Sequence, residues 1–532
     1  MSEMLKASGA LAAATLASRV LGMVREIVYA AFMGNTPVAS AFIWAFQVPN
    51  LFRRLLGEGA LTAAFIPIFK HKERQDGERE MWRCANAVLS GLLAAAGTVT
   101  VVVMLGLWLL LAFGHLGKDW RLTIQLLHLM FPYMLLVCLA AAMMGMANAR
   151  GHFVIPALGG VMLNVVMIGS VWFLAPRMGK GLDRQIFGLA IGVLLAGLAQ
   201  AAFQWPTLAR EGFRCHWVSP WRDPTVREVM RKMLPGSIGV AAFQINVLLI
   251  GFCSFWFDKT ILSTFSYSVR LMELPQGMFG ISLATYLLPT LSGLAAERKY
   301  PEFRQTLRQG LGHLAFANLL AAAIALVLAE PIVRLLFERG KFGPATTHRA
   351  ALALACLAPG LLMFSTNNIL ARAFYALKDI RTPMRISVFC LGLNLVTALS
   401  LVKAFQHSPI HGEVGLALAN TASATLNVAL LGYALRRKLG HLGLAGLRPA
   451  LLALLGAAVL AGVLAATLSS LWERNLGHLG LGLKIGAVFV PATLAGLAYW
   501  LAALAARVPA ATEISGLVLA RFRLGGRRLP LA

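Results

Sequence analysis

The sequence is poor in charged residues, and acidic residues are especially scarce. Only 13% of its 532 residues are charged, and 22 Asp and Glu stand against 48 Lys and Arg. Together with a hydrophobic content of 58%, this composition excludes an ordinary soluble globular protein of the same size. It is typical of an all-α polytopic membrane protein, because each spanning helix needs about 20 mostly apolar residues.

Several motifs that carry chemistry are also missing from the sequence. The six cysteines include no C-x-x-C pair and the 11 histidines no H-E-x-x-H motif, so we expect no disulfide framework, no metal site and no cofactor. No G-x-x-x-x-G-K-[ST] stretch is present, which excludes a P-loop ATP motor. The absence of a D-D-x-x-D cluster argues against an enzyme that uses metal-binding acids near the membrane surface. We therefore expect no catalytic residues of these kinds.

About fourteen apolar segments are long enough to cross a bilayer. They are 8–33, 38–69, 86–114, 122–148, 153–176, 185–208, 233–257, 260–292, 305–337, 346–376, 383–405, 412–435, 449–471 and 482–506. The predicted cytoplasmic loops and tail carry about twice as many Lys and Arg as the opposite side, so both termini are expected to be cytoplasmic. We attribute the net charge of +26 to this topology, and we do not expect nucleic-acid binding.

The first twelve spans divide into two sets of six. Pro132 and Pro156 are 24 residues apart in spans 4 and 5, and Pro359 and Pro383 are 24 apart in spans 10 and 11. This repeat predicts two six-helix lobes related by a pseudo-two-fold axis along the membrane normal, plus two extra C-terminal helices. The predicted parts are an N-lobe at 1–208, a cytoplasmic linker at 209–232, a C-lobe at 233–438, and helices 13 and 14 with a basic cytoplasmic tail at 439–532.

Charged residues interrupt the apolar spans at several positions. A charge at bilayer depth costs roughly 2.5–3.5 kcal/mol on insertion scales, so it usually has a function. The arginines that we single out are Arg19, Arg25, Arg53, Arg54, Arg270 and Arg372, and the accompanying glutamates are Glu26, Glu58 and Glu273. Arg372 differs from the other arginines, because it lies near the cytoplasmic end of its span.

Helical spacing indicates which of these charges can pair. Arg54 and Glu58 are four residues apart and Arg270 and Glu273 are three apart, so each pair can touch, whereas Arg25 has no evident partner in its own helix. Without Arg372, five arginines and three glutamates leave an excess of two positive charges. Since the planar guanidinium binds phosphate oxygens in pairs and stays ionised, a diphosphate group is the ligand that fits best.

Four stretches around these charges resemble the signature motifs of one family. They are S-R-V-L-G-M-V-R-E at 18–26, P-N-L-F-R-R-L-L-G-E-G-A at 49–60, R-L-M-E-L-P-Q-G-M-F-G at 270–280 and Y-A-L-K-D-I-R-T-P-M-R at 375–385. The chain is similar over nearly its whole length to the MurJ (MviN) lipid II flippases. These belong to the multidrug/oligosaccharidyl-lipid/polysaccharide exporter superfamily.

The resemblance implies a multi-pass protein of the bacterial inner membrane that serves cell wall biogenesis and cell shape. Such a protein flips lipid II, the undecaprenyl-diphosphate-linked peptidoglycan precursor, from the cytoplasmic to the periplasmic leaflet by alternating access. The partners that the resemblance implies are lipid II and membrane lipids. Whether other cell-wall synthesis proteins also bind is left open. Helices 13 and 14 would hold the lipid tail in a groove. By motif, the residues implied for a cationic central cavity are the substrate-binding Arg19, Arg25, Arg53, Arg54 and Arg270 and the gate or cavity counter-charges Glu26, Glu58 and Glu273.

The chain departs from some relatives at the rim of this cavity. They carry acidic residues in the region of Ser40 and at the position of Val269, and a lysine near Gln47. Ser40 and Gln47 are therefore candidate site residues at a rim that is less charged in this chain. Some relatives also bind sodium through carboxylates of the seventh, eleventh and twelfth spans. This chain has amides there, among them Asn246 and Asn394, and no carboxylate well inside these spans. Two driving forces therefore stay open for this chain: the membrane potential, and a monovalent cation such as a proton.

Two other transport functions stay open at this point. A flippase for another polyprenyl-diphosphate-linked glycan would use the same buried charges, and only the family motifs disfavour it. A multidrug exporter of the same fold is disfavoured by charge, because a site for organic cations should be acidic and aromatic.

Overall fold

The computed structural model describes residues 2–52, 60–221, 223–406, 408 and 411–523. Within these ranges the chain is all-α, with nineteen α-helices, short π and 3-10 segments, and no β-strand. The helices are α1 (Ser2–Met33), α2 (Pro37–Phe52), α3 (Ala60–Phe113), α4 (Lys118–Met130), α5 (Tyr133–Ala149), α6 (Val154–Gly169), α7 (Leu182–Arg210), α8 (Pro224–Phe257), α9 (Ile261–Pro275), α10 (Ser282–Ala296), α11 (Tyr300–Val327), α12 (Ala329–Phe337), α13 (Pro344–Leu357), α14 (Gly360–Ala376), α15 (Arg381–Phe405), α16 (Gly412–Leu439), α17 (Arg448–Asn475), α18 (Leu481–Ala505) and α19 (Pro509–Arg523).

Several helices are interrupted at proline or glycine. Gly77, with φ 83° and ψ 175°, divides the long α3, since glycine adopts a positive φ without steric cost. Pro132 separates α4 from α5, and Pro359 lies at the 46° bend between α13 and α14. A π-helical segment, Gln276–Ile281, directly follows Pro275, as expected where proline removes a backbone hydrogen bond.

The number of long apolar helices is typical of a polytopic membrane protein. Ten helical segments are long and apolar enough to cross a membrane, or eleven if the bent pair α13 and α14 forms one span. This number refers to the part of the chain that the structure describes. The prediction of an all-α, multi-span protein is confirmed at this level, and the exact fourteen helices and the lobe symmetry stay predictions.

The chain forms two compact units. Unit 1 comprises residues 1–263 and 339–342, and unit 2 comprises residues 264–338 and 343–532. Each unit consists of residues that pack mainly with one another. The lobe and linker boundaries proposed from the sequence stay predictions.

In unit 1, α6 packs against both α1 and α7, and α2 packs against α4. The rings of Tyr29 and Phe42 meet edge-to-face with 5.9 Å between their centroids, and those of Phe46 and Tyr133 lie 5.7 Å apart. Such aromatic pairs add to the stability gained from burial. These pairs link α1 to α2 and α2 to α5. The polar residues of α1 therefore lie on a helix that is packed against its neighbours.

The short segment 339–342 completes unit 1 by packing on the end of α1. The backbone N–H of Lys341 donates to the carbonyl oxygen of Ala31 at 2.9 Å. Gly34 and Gly340 both have a φ of +59°. A Cβ would lie 2.4 Å from the Lys341 oxygen if added to Gly34, and 2.3 Å from the Ala31 oxygen if added to Gly340. Only glycine fits this backbone contact.

In unit 2, α15 packs against α16, while α17 pairs with α18 and packs on α11. The buried hydroxyl of Tyr499 in α18 donates to the carbonyl oxygen of Phe316 in α11 at 2.8 Å. Ala457, Ala461 and Ala465 of α17 belong to the same buried cluster, and such small side chains let helices approach closely. The last two predicted spans are thus packed on α11.

Candidate functional site

Helix α1 carries the most buried of the predicted charges among the described residues. The Arg25 side chain is 14% exposed and that of Glu26 is 11% exposed, whereas Arg19 lies at an exposed position. The difference arises because Arg25 lies where α1 packs against α6. Charges so far removed from solvent need partners, since an uncompensated buried ion is strongly destabilising.

Arg25 has three contacts that fix its guanidinium. Its Nη2 donates to Oε1 of Glu26 at 2.5 Å, and its Nη1 donates to Oδ1 of Asn164 in α6 at 3.1 Å. The guanidinium carbon also lies 5.8 Å from the centre of the Tyr29 ring, a cation–π distance. The expectation that Arg25 lacks a partner in its own helix was wrong, because a long, flexible arginine side chain can reach the adjacent residue even though neighbours in a helix do not face each other.

Polar atoms on α1 and α2 are buried without a hydrogen-bond partner in the described part of the chain. Nε of Arg25, the hydroxyl of Tyr29 and Oε1 of Gln47 find no hydrogen-bond partner within the described ranges. Buried polar atoms are nearly always satisfied, and each exception calls for an explanation such as a ligand or ordered water. Arg25 therefore retains hydrogen-bonding capacity for a further acceptor.

Helix α2 carries Ser40 and Gln47, the two positions predicted at the rim of the cavity. Ser40 is completely buried, and its hydroxyl lies 3.1 Å from both the hydroxyl and the backbone N–H of Ser263. Gln47 is half-buried. The remaining predicted residues of this region, Arg53, Arg54 and Glu58, lie outside the described residues.

Arg270 and Glu273 form an ion pair on α9, as their spacing predicts. Nη1 of Arg270 lies 2.7 Å from Oε2 of Glu273, and the two side chains are 40% and 49% exposed. The pair is followed within two residues by Pro275 and then by the π-helical segment. An arginine with this exposure is accessible to a ligand, and the irregular helix after it provides a point of bending.

Two other predicted arginines are exposed or half-buried. Arg19 is exposed on α1, and Arg372 is half-buried on α14. Neither side chain has an ion-pair or hydrogen-bond partner among the residues described by the structure. Both remain candidates for contact with an anionic ligand.

A buried arginine that the sequence analysis did not single out lies in the tenth predicted span. Nε and Nη2 of Arg349 in α13 donate to the two carboxylate oxygens of Glu413 at 2.6 and 2.9 Å. The Glu413 side chain is completely buried, because it begins α16 against α13. No local pattern announces this pair, since 64 residues separate its members.

A second arginine of this kind is Arg334 of α12, in the ninth predicted span. It is 14% exposed and lies 2.7 Å from Glu330, 3.7 Å from Glu338 and 2.6 Å from Glu473 of α17. Its i−4 and i+4 glutamates are a readable helical signal. Because several carboxylates surround this arginine, its charge is compensated, unlike the excess expected around Arg25.

A third charged cluster lies where α3, α5 and α7 meet. Arg150 pairs with Glu73, with Glu78 at 3.0 Å and with Glu211 at 2.7 Å. Hydrogen bonds from His152 and from Arg150 lower the pKa of the Glu211 carboxyl. Because three carboxylates surround one arginine, this cluster connects the helix ends and does not form an anion site.

Unit 2 contains an apolar cavity of about 750 Å³ between α10, α11 and α18. Phe279, Tyr286 and Leu320 contribute to its lining, and Trp500 of α18 closes one side. At its edge His313 lies 2.9 Å from a carboxylate oxygen of Glu513 in α19. An elongated apolar chain fits such a lining.

No group of three or more His, Cys, Asp or Glu residues in the described part of the chain is arranged to hold a metal ion. Asn246 and Asn394, amides of the seventh and eleventh predicted spans, are both buried. The expectations on cofactors and on the driving ion stay predictions.

Comparison with known proteins identifies the family. A family model described as "Lipid II flippase MurJ" matches residues 29–485. A Vibrio cholerae protein named probable lipid II flippase MurJ is 35% identical over 444 residues, which cover 81% of this chain and 82% of that protein. A Bdellovibrio bacteriovorus protein of the same name is 32% identical over 506 residues, covering 94% of each chain.

Solved structures share the fold at lower identity. "Lipid II flippase MurJ, inward closed conformation" matches with a TM-score of 0.71 at 20% identity, covering 92% of this chain and 97% of that chain. An inward-facing multidrug resistance MATE family transporter of the MOP superfamily matches with a TM-score of 0.66 at 14% identity, covering 80% and 95%. Because the family model spans most of the sequence and full-length relatives exceed 30% identity, the chain belongs to the MurJ family of lipid II flippases.

Proposed function

We propose that this chain is a lipid II flippase of the bacterial inner membrane, where it moves the peptidoglycan precursor from the cytoplasmic to the periplasmic leaflet for cell wall biogenesis. The observation that carries the proposal is the family match over residues 29–485. Flipping forms and breaks no covalent bond, so the chain acts as a transporter and no residue is assigned a catalytic role. Contact with other cell-wall synthesis proteins stays a prediction.

The diphosphate of lipid II binds the predicted cluster of arginines. Arg25 supports this proposal, because it is mostly buried, is oriented by its neighbours and keeps an unsatisfied Nε. Arg270 supports it through its exposure and its position beside a bend in the helix. Arginine suits the task since its fork bonds phosphate oxygens in pairs and remains charged in a partly dry site. Glu26 and Glu273 serve as counter-charges when no substrate is bound.

The helices act as two six-helix lobes plus two C-terminal helices, with both termini in the cytoplasm. In this arrangement the first, second and eighth predicted spans line the cationic cavity that the resemblance implies. Binding of the diphosphate neutralises the excess positive charge there. The lobes then rock to open the cavity toward the periplasm, and the head group leaves on that side.

The polyprenyl tail stays in an apolar environment during this cycle. The cavity of about 750 Å³ in unit 2 supports this part of the proposal, because its lining is nearly all apolar and includes Trp500 of the fourteenth predicted span. Keeping a long hydrocarbon chain out of water avoids about 0.8 kcal/mol for each CH₂ group. The tail would thus occupy this cavity while the head group crosses.

The cycle is driven by the membrane potential or by a monovalent cation. Two net positive charges in the cavity couple to a potential, since moving one charge across 100 mV is worth about 2.3 kcal/mol. A substrate that neutralises them changes the charge of the moving lobes. No bound cofactor is part of the proposal.

The test is native mass spectrometry of the purified protein with lipid II and with a polyprenyl monophosphate sugar of similar length. Wild type is compared with Arg25→Ala and Arg270→Ala. Arg177→Ala is the matched control, because Arg177 lies in an exposed 3-10 segment far from these helices in sequence. We expect lipid II to be retained in preference to the monophosphate by wild type and by the control variant.

Both site variants should lose this preference. Equal retention of the two lipids by wild type, unchanged in Arg25→Ala and Arg270→Ala, would show that the arginines are structural. The diphosphate site proposed above would then be abandoned.

A further inference from the structure

Asn164 of α6 connects two positions on α1. Its Oδ1 accepts the hydrogen bond from Nη1 of Arg25, and its Nδ2 donates to the carbonyl oxygen of Ser18, both at 3.1 Å. The Asn164 residue is only 5% exposed. The Asn164 amide therefore binds the Arg25 side chain and also the α1 backbone at Ser18, about two helical turns before Arg25.

The contact with Asn164 fixes the orientation of the Arg25 guanidinium, and so of the N–H groups that are not yet hydrogen-bonded. A free arginine side chain has many rotamers, and ordering it costs conformational entropy. Here Asn164 fixes Nη1, Glu26 fixes Nη2 and the Tyr29 ring lies beneath the guanidinium. Nε stays buried with no acceptor in the described part of the chain. The ordering has thus taken place before an anion arrives.

The polar groups of Asn164 are not what brings α1 and α6 together. Glycine makes the close approach: a Cβ added to Gly160 of α6 would lie 2.5 Å from the Ser18 hydroxyl, and one added to Gly22 of α1 would lie 3.6 Å from the Asn164 amide nitrogen. A leucine at position 164 has a similar branched shape and does not touch the Gly160–Ser18 contact. Its effect on the neighbouring charge can therefore be separated from helix packing.

We propose that Asn164 is a positioning residue that orients the Arg25 guanidinium toward the substrate diphosphate. The inference rests on the proposed function of Arg25. A preorganised donor binds more tightly than a mobile one, because less entropy is lost on binding. Asn164 would therefore raise affinity for a diphosphate head group without touching the lipid itself.

The experiment is a double-mutant cycle on the full chain in detergent. Lipid II and the polyprenyl monophosphate sugar are titrated against wild type, Asn164→Leu, Arg25→Ala and the double variant, and thermal unfolding is measured for each. Gln204→Leu is the matched control: Gln204 is a buried amide of unit 1 that donates to the backbone oxygen of Ala140 and forms no hydrogen bond with an arginine among the described residues. Asn164→Asp keeps the oxygen that accepts from Arg25 but loses the donor to the Ser18 carbonyl, and thermal unfolding shows which variants are folded.

We expect Asn164→Leu to weaken lipid II binding by about tenfold, as for loss of a hydrogen bond to a charged group. Gln204→Leu should bind as wild type. The double variant should bind no more weakly than Arg25→Ala alone, because Asn164 acts through Arg25. Asn164→Asp should also weaken binding, since its carboxylate competes with the diphosphate for the guanidinium.

The results separate the two claims. If Arg25→Ala binds lipid II as wild type does, the proposed site itself fails. If Arg25→Ala loses binding while Asn164→Leu and Asn164→Asp keep it, only the positioning role is overturned. An Asn164→Leu effect that persists in full on the Arg25→Ala background, or that weakens both lipids equally, would likewise overturn it.

Discussion

Arg349 and Glu413 form a two-pronged ion pair inside unit 2. Their hydrogen bonds measure 2.6 and 2.9 Å, the Glu413 side chain is fully buried and that of Arg349 is 15% exposed. Because the guanidinium and carboxylate planes match, both carboxylate oxygens are used. This pair joins α13 to α16 at a point that water scarcely reaches.

Replacing Glu413 with Ala should strongly destabilise the protein. The substitution leaves a mostly buried guanidinium without its counter-charge, a change that costs about 3–5 kcal/mol in proteins. We expect a large fall in the thermal unfolding temperature in detergent. Glu297→Ala, which removes a carboxylate from an exposed pair with Lys299, should leave the unfolding temperature unchanged. Equal stability of the two variants would show that the buried pair contributes little.

The turn between α14 and α15 should give stability that depends on pH. Partial burial acts to raise the pKa of Asp379, but hydrogen bonds from Lys438 and from the backbone and hydroxyl of Thr382 lower it to about 2. A carboxyl whose folded pKa lies below its usual value of about 3.9 stabilises the fold above that pH and loses this effect as the pH falls toward 2. Asp379→Asn should therefore be less stable than wild type at pH 7, and the difference should vanish between about pH 4 and pH 2. A difference that stays constant over this range in thermal unfolding would refute the assignment.

The contact between Gly340 and the end of α1 should not tolerate a side chain. Gly340→Ala places a Cβ 2.3 Å from the Ala31 oxygen at a φ of +59°, and the left-handed conformation alone costs about 1–2 kcal/mol. We expect a lower unfolding temperature. Gly343→Ala is the control, because a Cβ there meets nothing within 4 Å and the backbone has a φ of −88°. A wild-type unfolding temperature for Gly340→Ala would contradict the backbone contact.

Filling the apolar cavity of unit 2 should interfere with the lipid tail but not with the head group. Ala321→Trp introduces an indole into the cavity lining, so less room remains for hydrocarbon. Retention of lipid II with its full tail should fall several-fold, while a short-tailed analogue binds as before. Leu326→Trp, at an exposed position on the same helix, is the control. Equal loss of the long- and short-tailed lipids would place the tail elsewhere.

Local features of the site could be read from the sequence. The ion pair of Arg270 and Glu273 was predictable, because residues three apart on a helix share a face. The irregular helix after Pro275 was predictable from the backbone bond that proline removes. The all-α, multi-span fold followed from the long apolar segments and the scarcity of charge.

Contacts that depend on packing could not be read in this way. Asn164 and Arg25 are 139 residues apart, and only the packing of α6 on α1 brings them together. Likewise, Arg349 finds Glu413 across 64 residues. A rule based on helix faces also misses the pair of Arg25 and Glu26, since it treats adjacent residues as pointing apart, while a long side chain can fold back.

The most direct test of the account is the flipping of lipid II in proteoliposomes that contain wild type, Arg25→Ala or Arg177→Ala at equal protein density. The account predicts that wild type and Arg177→Ala move lipid II between leaflets at similar rates, and that Arg25→Ala, folded and inserted as judged by thermal unfolding, moves it at least tenfold more slowly. If wild type fails to flip lipid II, or if Arg25→Ala flips it at the wild-type rate, the central claim is contradicted.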